Sequence, residues 1–429
     1  LQAICEPITD GTHKTPTYSD EGFIFLSSKN VTSGHIDWDN IMYIPESLHN
    51  ELYARLAPQK NDILLAKNGT TGVAAIVDRD CIFDIYVSLA LLRIIGYIIS
   101  PEYLLSTIAS STIQNYFNSS LKGIGVPNLH LEHIRTTLIP VAPINEQYRI
   151  ATKLEQLLSF ADNIESDKTD LQTTIQLTKS KILDLAIRGK LVPQNPDDEP
   201  ASVLLERIRA EKEELIKQGK IKRDKKKSVI FRGDDNSYYL RMGNLIETLD
   251  DWRINDIPYS WGICCLGEVC DYGNCTNVDT KDIPKTAWIL DLEDIEKDTG
   301  KVSQKLTLKE RNSASTKHSF HKGQVLYSKL RPYLNKVVLV DDDGYCTSEI
   351  LPLDFNKYIL PEYAKYYLMS PTFLRYANHC SYGVKMPRLG TLDGRKAVLI
   401  VPPVNEQKRI ADKVSQLFSL LDSIADNVN

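Results

Sequence analysis

The chain repeats itself at a fixed distance, and that repeat limits the folds open to it. Pro101-Glu-Tyr103 returns as Pro361-Glu-Tyr363, 260 positions later. The same offset, without a gap, pairs Ser110 with Ser370, Thr112 with Thr372, Tyr116 with Tyr376 and Asn118 with Asn378. It carries on through Gly123 and Gly383, Pro127 and Pro387, and Leu129 and Leu389. It then reaches Asn145-Glu-Gln147 against Asn405-Glu-Gln407, and Arg149-Ile-Ala151 against Arg409-Ile-Ala411. So constant a register marks a tandem duplication. Each copy is a globular part followed by a long helix, and 429 residues leave room for two or three domains with their own cores.

The helix is announced by Pro143-Ile-Asn-Glu-Gln-Tyr-Arg-Ile150. From Ile150 a 4-3 alternation selects Leu154, Leu157, Ala161, Ile164, Lys168, Leu171, Ile175, Thr178, Ile182 and Leu185, apolar except at Lys168 and Thr178. A stripe this narrow demands a partner helix. At about 1.5 Å per residue the rod is roughly 50 Å long, too long for the core of one domain. The opening recurs as Pro403-Val-Asn-Glu-Gln-Lys-Arg-Ile410, followed by a seam of Ile410, Val414, Leu417, Leu421, Ile424 and Val428. The natural partner therefore lies in the same chain. Asn145 suits an N-cap, Glu146 complements the positive end of the dipole, and Gly189 ends the helix.

Residues 1–142 read as a mixed domain. Gly22–Leu26, Asp62–Ala66 and Val73–Val77 are β-rich runs between turn signals such as Asn68-Gly69, and a helix is expected from Glu102 to about Phe117. A Gly-rich turn follows at Gly123 to Gly125. Residues 143–257 hold the heptad helix, an extended Lys190–Gln194 exit, and a second helix from about Ala201 to Lys217. A basic run, Lys220–Lys227, comes next, then a stretch with little pattern from 228. The second globular unit spans 258–402, and residues 403–429 form the last helix. Leu266-Gly-Glu-Val269 reads as the first strand of the second unit, and Leu1-Gln-Ala-Ile4 stands level with it. The first copy lacks the Pro258-Tyr-Ser-Trp261 introduction, so the native first residues are expected to be missing here, and the last helix stops short of its counterpart.

The chemistry of catalysis is missing from the sequence. There is no G-x-x-x-x-G-K-S/T phosphate loop, no G-x-G-x-x-G, no H-E-x-x-H and no G-x-S-x-G elbow. Asn195-Pro196 is followed by Asp197-Asp198, not by the Pro-aromatic pair of amino-methyltransferases. Cys265, Cys270 and Cys275 come at intervals of five, without a C-x-x-C pair or nearby histidines, and read as core and loop residues. Asp341-Asp-Asp-Gly344 reads as a hairpin turn. No metal and no cofactor is expected. Eight scattered cysteines and the lack of any apolar run near 20 residues fit a chain of the reducing cytoplasm.

Polar and basic loops offer a binding chemistry instead. After matching apolar strands come Lys67-Asn68-Gly-Thr70-Thr71 in the first unit and Ser328-Lys329-Leu-Arg331-Pro-Tyr333, with Asn335 and Lys336, in the second. Thr12, His13, Lys14, Ser28, Lys29 and Asn30 lie in further polar loops. Lys122 with Asn128 is matched by Lys385 with Arg388, and Lys317 adds a cation. Arg and Lys pair with guanine edges, Asn and Gln with adenine, and all can hold phosphates. Each is also an ordinary surface residue, so the group carries more weight than any member. A net charge of −5 argues against a chain that coats nucleic acid all over.

The double P-x-N-E-Q-x-R-I opening, the Leu183-Asp-Leu-Ala-Ile-Arg-Gly-Lys-Leu-Val-Pro-Gln194 exit and the Trp261…Leu266-Gly-Glu-Val269 start together resemble the specificity (S) subunits of type I restriction–modification systems. The resemblance covers essentially the whole chain. It implies an α+β architecture with two mixed target recognition domains in pseudo-twofold arrangement, separated by two long helices packed as an antiparallel coiled coil. It further implies that each domain reads one half of a split site in double-stranded DNA. The helices would space the halves and recruit two methyltransferase (M) subunits, which modify adenine, and restriction (R) subunits would join to cleave with ATP. The S subunit itself would do no chemistry. The competing reading is a coiled-coil adaptor that binds only proteins.

Overall fold

The computed structural model describes residues 1–32, 34–121, 127–220, 228–235, 237–249, 256–355 and 358–427. The expected turn at Gly123–Gly125, the candidate Lys122, and Ile221–Lys227 of the basic run lie outside the described residues. The chain divides into two compact units, Leu1–Asp167 and Lys168–Asn429.

In the first unit, strand β1 (Thr9–Asp10) is followed by β2 (Phe23–Leu26), β3 (Met42–Ile44) and helix α1 (Glu46–Arg55). Strands β4 (Ile63–Ala66), β5 (Ala74–Ile76), β6 (Phe83–Ile85) and β7 (Leu89–Leu92) complete two sheets. One is antiparallel with order β1-β7-β4-β5; the other has order β3-β2-β6, with β2 parallel to β6. Every residue of β4 and β7 is buried, as unbroken apolar runs require when both faces are covered. The expected single helix after Pro101 is two helices, α2 (Pro101–Ala109) and α3 (Ser111–Ser119). Ser110 is extended, ends the first, and accepts from the Ile113 N–H to cap the second. A short helix α4 (Leu131–Thr136) leads to α5 (Ile144–Ile187), 44 residues long, or about 65 Å at 1.5 Å per residue.

The second unit carries the rest of α5 and helix α6 (Ala201–Lys217). The stretch read as patternless is a three-stranded meander of β8 (Ser228–Arg232), β9 (Tyr238–Met242) and β10 (Leu245–Thr248). Its inward Ile230 and Leu240 are buried, and its glycine turns and scattered charges hid the alternation. Strand β11 (Gly262–Cys265) opens the globular part, so Leu266–Val269, expected as the strand, is instead the one-turn helix α7. Its start matches the first unit: Leu266 N donates to the Ala397 carbonyl, and the Leu1 nitrogen donates to that of Thr137, which lies 260 positions before Ala397. Burial raises the Cys265 thiol pKa to about 12, in keeping with a core residue.

Strands β12 (Asn277–Val278), β13 (Trp288–Leu290), β14 (Leu306–Thr307), helix α8 (Leu308–Arg311), β15 (Lys317–Phe320), β16 (Val325–Ser328), β17 (Val337–Leu339), β18 (Gly344–Thr347) and β19 (Ile350–Leu353) follow. They form a five-stranded sheet, β12-β15-β18-β13-β14, and a three-stranded one, β17-β16-β19. The parallel β2–β6 pair has its counterpart in parallel β13–β18, and β5-β4-β7 in β17-β16-β19. Asp341–Asp343 therefore links two sheets and is not a hairpin; Lys305 pairs with both Asp341 and Asp342. Helices α9 (Pro361–Met369) and α10 (Pro371–His379), hairpin β20 (Ser381–Tyr382) and β21 (Arg388–Leu389), helix α11 (Thr391–Lys396), strand β22 (Val398–Val401) and helix α12 (Val404–Asp426) complete the chain. Helices α9, α10, α11 and α12 begin 260 residues after α2, α3, α4 and α5.

The repeated glutamine is the joint of both copies. Gln147 and Gln407 are each fully buried. Gln147 Oε1 accepts from the Ser100 N–H at 2.9 Å while its Nε2 donates to the Ile98 and Ala142 carbonyls. Gln407 Oε1 accepts from Leu360 N at 2.8 Å and its Nε2 donates to Pro402. Tyr103 and Tyr363 hydroxyls reach the Pro140 and Ile400 carbonyls, again 260 apart. These bonds satisfy backbone groups that would otherwise be buried without partners. Asn145 is not the cap: α5 opens at Ile144, which places Asn145 in its first turn.

Lys179 pairs with Asp422, and Gln194, just past α5, reaches Glu406, so α12 runs antiparallel to the second half of α5. Ile175 and Ile182 of the seam are buried there, with Ile410 and Val414; Leu171, Leu185, Leu417 and Leu421 are half-buried, and Ile424 is exposed. The partner within the chain does not cover the whole seam. Leu154, Leu157, Ala161 and Ile164 are exposed, and Ile150 is half-buried against the first unit's core, because α12 has 23 residues against the 44 of α5.

Candidate nucleic-acid interface

In the first unit the candidate residues gather around the end of β4. Lys67 N donates to the Ser88 carbonyl at 2.8 Å, and the Lys67 carbonyl accepts from Leu129 N at 2.9 Å. Asn68 and Asn128 form the adjoining antiparallel bridge. The turn Lys67–Thr71 is thus clamped between β7's lead-in and the segment before α4. Ser28 joins through its N–H to Ser88 Oγ, and Thr12 through its N–H to the Ile85 carbonyl beside Tyr86. Gly11 is required there, since a Cβ would stand 2.0 Å from the Ile85 oxygen. Lys67 Nζ lies 2.5 Å from Asp10 Oδ2 with both side chains under a tenth exposed. Asp10 also meets His13 Nε2 at 3.2 Å.

These side chains divide by exposure. His13, Lys14 and Lys29 face solvent. Asn30 is buried, accepting from Ser27 N and donating to the Asp37 and Asn40 carbonyls, so it builds its turn. Thr71 Oγ1 donates back to the Lys67 carbonyl. Asn68 Oδ1, Thr70 Oγ1 and Asn128 Oδ1 are buried without a hydrogen-bond partner, three at one turn. Buried polar atoms are normally paired, and a cluster of unpaired acceptors marks a place where an outside donor is stabilising.

The second unit has the same clamp with other side chains. Lys329 N donates to the Glu349 carbonyl at 3.1 Å, the Lys329 carbonyl accepts from Leu389 N at 3.0 Å, and Leu330 bridges Arg388. Lys67 and Lys329 therefore occupy one backbone position, as do Asn128 and Arg388. Where Lys67 is buried against Asp10, Lys329 is half-exposed. Where Asn128 has an unpaired oxygen, Arg388 grips Glu349 through Nε and Nη2. Ser328 Oγ donates to the Leu330 carbonyl. Arg331 and Asn335, at φ 49° and 48°, flank a 3-10 turn at Pro332–Leu334 in left-handed backbone that non-glycine residues seldom adopt. Arg331 N is fixed by the Pro387 carbonyl at 2.7 Å, and its Nε is buried without a partner. Tyr333 and Lys385 are exposed.

Three candidates of the second unit serve the fold. Asn335 is buried and donates to the Met369 carbonyl. Lys317 is buried beside Asp291 and Ser315. Lys336 donates to the Leu292 carbonyl at 2.6 Å, and burial lowers its pKa despite nearby Asp294 and Glu293. The Lys317 and Lys336 side chains brace the turn Asp291–Asp294, which corresponds to Ser27–Asn30, while the Lys336 carbonyl accepts from Ser328 N at 3.0 Å at the foot of the Lys329–Tyr333 turn. Sequence reasoning passed over Asp10 and Glu349. Asp10 had only an ordinary Asp-Gly turn to signal it, and nothing local marks Glu349 as the partner of Arg388. It also missed Tyr382, Val384 and Met386, exposed apolar side chains on the hairpin beside Arg388.

Similar proteins agree with this duplicated plan. The chain is 26% identical over 313 residues to the type I restriction enzyme EcoDI specificity subunit of Escherichia coli, a match that covers 72% of this chain and 61% of that protein. It is 28% identical over 200 residues to the EcoBI specificity subunit of Escherichia coli, with 45% of this chain and 42% of that protein covered. The matches thus span about half the length of these curated relatives. In fold it is similar to the HsdS subunit of Thermoanaerobacter tengcongensis, at a TM-score of 0.53 and 16% identity, over 100% of this chain and 90% of that one. Among the described residues no helix is long and apolar enough to cross a membrane. The family model for the type I restriction modification DNA specificity domain matches residues 18–173 and 258–428, and the chain belongs to that family.

Proposed function

We propose that the chain is the DNA-reading subunit of a type I restriction–modification complex, and that each unit reads one half of a bipartite duplex target. One observation carries this reading: a single backbone clamp, at Lys67 and Lys329, holds different side chains in the two copies. Two unlike heads on a common frame are what an asymmetric split site requires. Direct readout is made by side chains held at fixed places on a rigid support. The subunit does no chemistry; adenine methyltransferase subunits bound to it, two per chain, modify the DNA, and restriction subunits join the assembly. The exposed Leu154, Leu157, Leu158 and Phe160 of α5 favour a protein docking face for those subunits. The small net charge of −5 fits partners that supply part of the phosphate contacts.

The test is co-expression with the adjacent methyltransferase gene, followed by genome-wide mapping of methylated bases. A split, asymmetric motif is the expected result. Methylation without any motif, or no sequence-selective retention of DNA with the methyltransferase present, would leave a coiled-coil adaptor as the better reading.

A further inference from the structure

Beside the second clamp, the hairpin β20–β21 projects an apolar tip into solvent. Val384 is 101% exposed, Tyr382 62% and Met386 49%. The base of the hairpin is firmly held. Ser381 pairs with Leu389 and Tyr382 with Arg388; Arg331 N donates to the Pro387 carbonyl, and Leu389 N to that of Lys329. The tip is therefore carried on the same frame as the candidate reading residues. A turn of this size offers no broad protein-docking face, and basic residues adjoin it: Lys385 in the turn itself, and Lys329 and Arg331, to whose backbone the base of the hairpin is bonded. Exposed apolar side chains with basic residues beside them suit one occupant, the stacked interior of duplex DNA, where a wedge replaces base–base contacts while a cation in the same turn, Lys385, meets the backbone. In the repeat register the residues level with Val384 and Met386 are Ile124 and Val126, which lie outside the described residues; the sequence keeps two apolar side chains there although their identities differ.

Resting on the DNA-reading function proposed above, we infer that Val384 and Met386 form a wedge that enters a base step at the second half-site and unstacks it. Specificity then depends partly on how easily that step opens, because pyrimidine–purine steps unstack at lower cost than stiff tracts. The side chains are exposed, so polar replacements leave the fold intact.

The experiment uses the full chain assembled with its methyltransferase subunits. Duplexes carry the mapped split target with 2-aminopurine at single adenines or pyrrolocytosine at single cytosines, so that every base pair in and beside both half-sites is reported. With the wild-type chain, one step in the half read by residues 258–402, apart from the methylated adenine, brightens several-fold. In the Val384→Ser, Met386→Ser double variant that signal falls to the free-duplex level, and Kd weakens by on the order of tenfold. A signal that persists in the variant overturns the inference, as does a wild-type complex that binds the target with every step stacked. Loss of methyltransferase subunits from the variant would make the tip a protein contact instead. A wild-type complex that does not prefer the split duplex over a scrambled one would overturn the DNA-reading function itself.

Discussion

At Asp10 and Lys67 two opposite charges meet at 2.5 Å with both side chains almost wholly buried, and this pair sets the turn that carries Asn68 and Thr70. Removing one partner leaves the other charge without compensation in a poorly solvated place. Asp10→Ala is expected to destabilise the first unit by about 3–5 kcal/mol, and the apolar pair Asp10→Leu, Lys67→Met to recover most of that loss. Thermal unfolding measures both; a single-variant loss below about 1 kcal/mol would remove the pair from any role in the turn. At the same backbone position in the second unit Lys329 is only half-buried, and Arg331 beside it has an unpaired Nε. Replacing Lys329 and Arg331 with Ala is therefore expected to weaken discrimination at the second half-site alone, by about 1–3 kcal/mol per lost base contact. Equal loss at both halves, measured by competition with single-base variants of each half-site, would make them general phosphate contacts.

At the scale of elements, the joint between strand and helix was legible in part. The sequence pattern placed α5, α12 and the helical stretch of α2 and α3, because identical turn and cap chemistry recurs 260 positions on, but the break at Ser110 and the short helices α4 and α11 went unread. What the motif residues do was not legible. Asn145 looked like a cap, yet its counterpart Asn405 donates to Asp198, and Glu406 accepts from Trp261 Nε1 at 2.9 Å and from Gln194. Those partners come from distant stretches that no local pattern announces. The clamp was half visible: apolar strands ending in basic turns marked Lys67 and Lys329, but Asp10 and Glu349 reach them only through sheet pairing. The heptad seam was visible throughout, while its coverage depends on which helices are at hand. The Asp198–Arg409 pair gives this joint a pH signature. Arg409, donating at 2.7 Å, holds the Asp198 carboxyl below the usual range, helped by Asn405 and opposed by burial. A carboxyl with a lowered folded pKa binds fewer protons in the folded chain. Its stabilisation is full above the ordinary aspartate pKa, about 4, and is lost as the pH falls through the lower folded value. The gap in Tm between wild type and Asp198→Asn should be constant above about pH 5 and close toward pH 3; a gap that does not change with pH would deny the pair that role.

For the molecule as a whole, the proposed function turns on α5 as a spacer. A single helix of 44 residues begins at the first unit's buried Gln147 joint and ends within the second unit's core at Ala186 and Ile187. If each unit reads a half-site, the helix fixes the gap between them. Deleting Glu155–Ala161 removes seven residues, about two turns and roughly 10 Å, and turns the two ends of the helix by only about 20° relative to each other. The cut lies where the seam is exposed, so no matching cut is needed among the described residues of α12. That length corresponds to about three base pairs of axial rise, but three base pairs also rotate one half-site about 100° around the duplex. The expected outcome is therefore a gap shorter by about one to three base pairs, the lower figure holding if twist limits the fit before rise does. Both half-site sequences stay as they were, because Lys67, Arg331 and their clamps are untouched. Methylome mapping of cells expressing the deletion with the methyltransferase reads both quantities at once. A changed half-site, or a gap that keeps its length, would mean that α5 does not set the spacing.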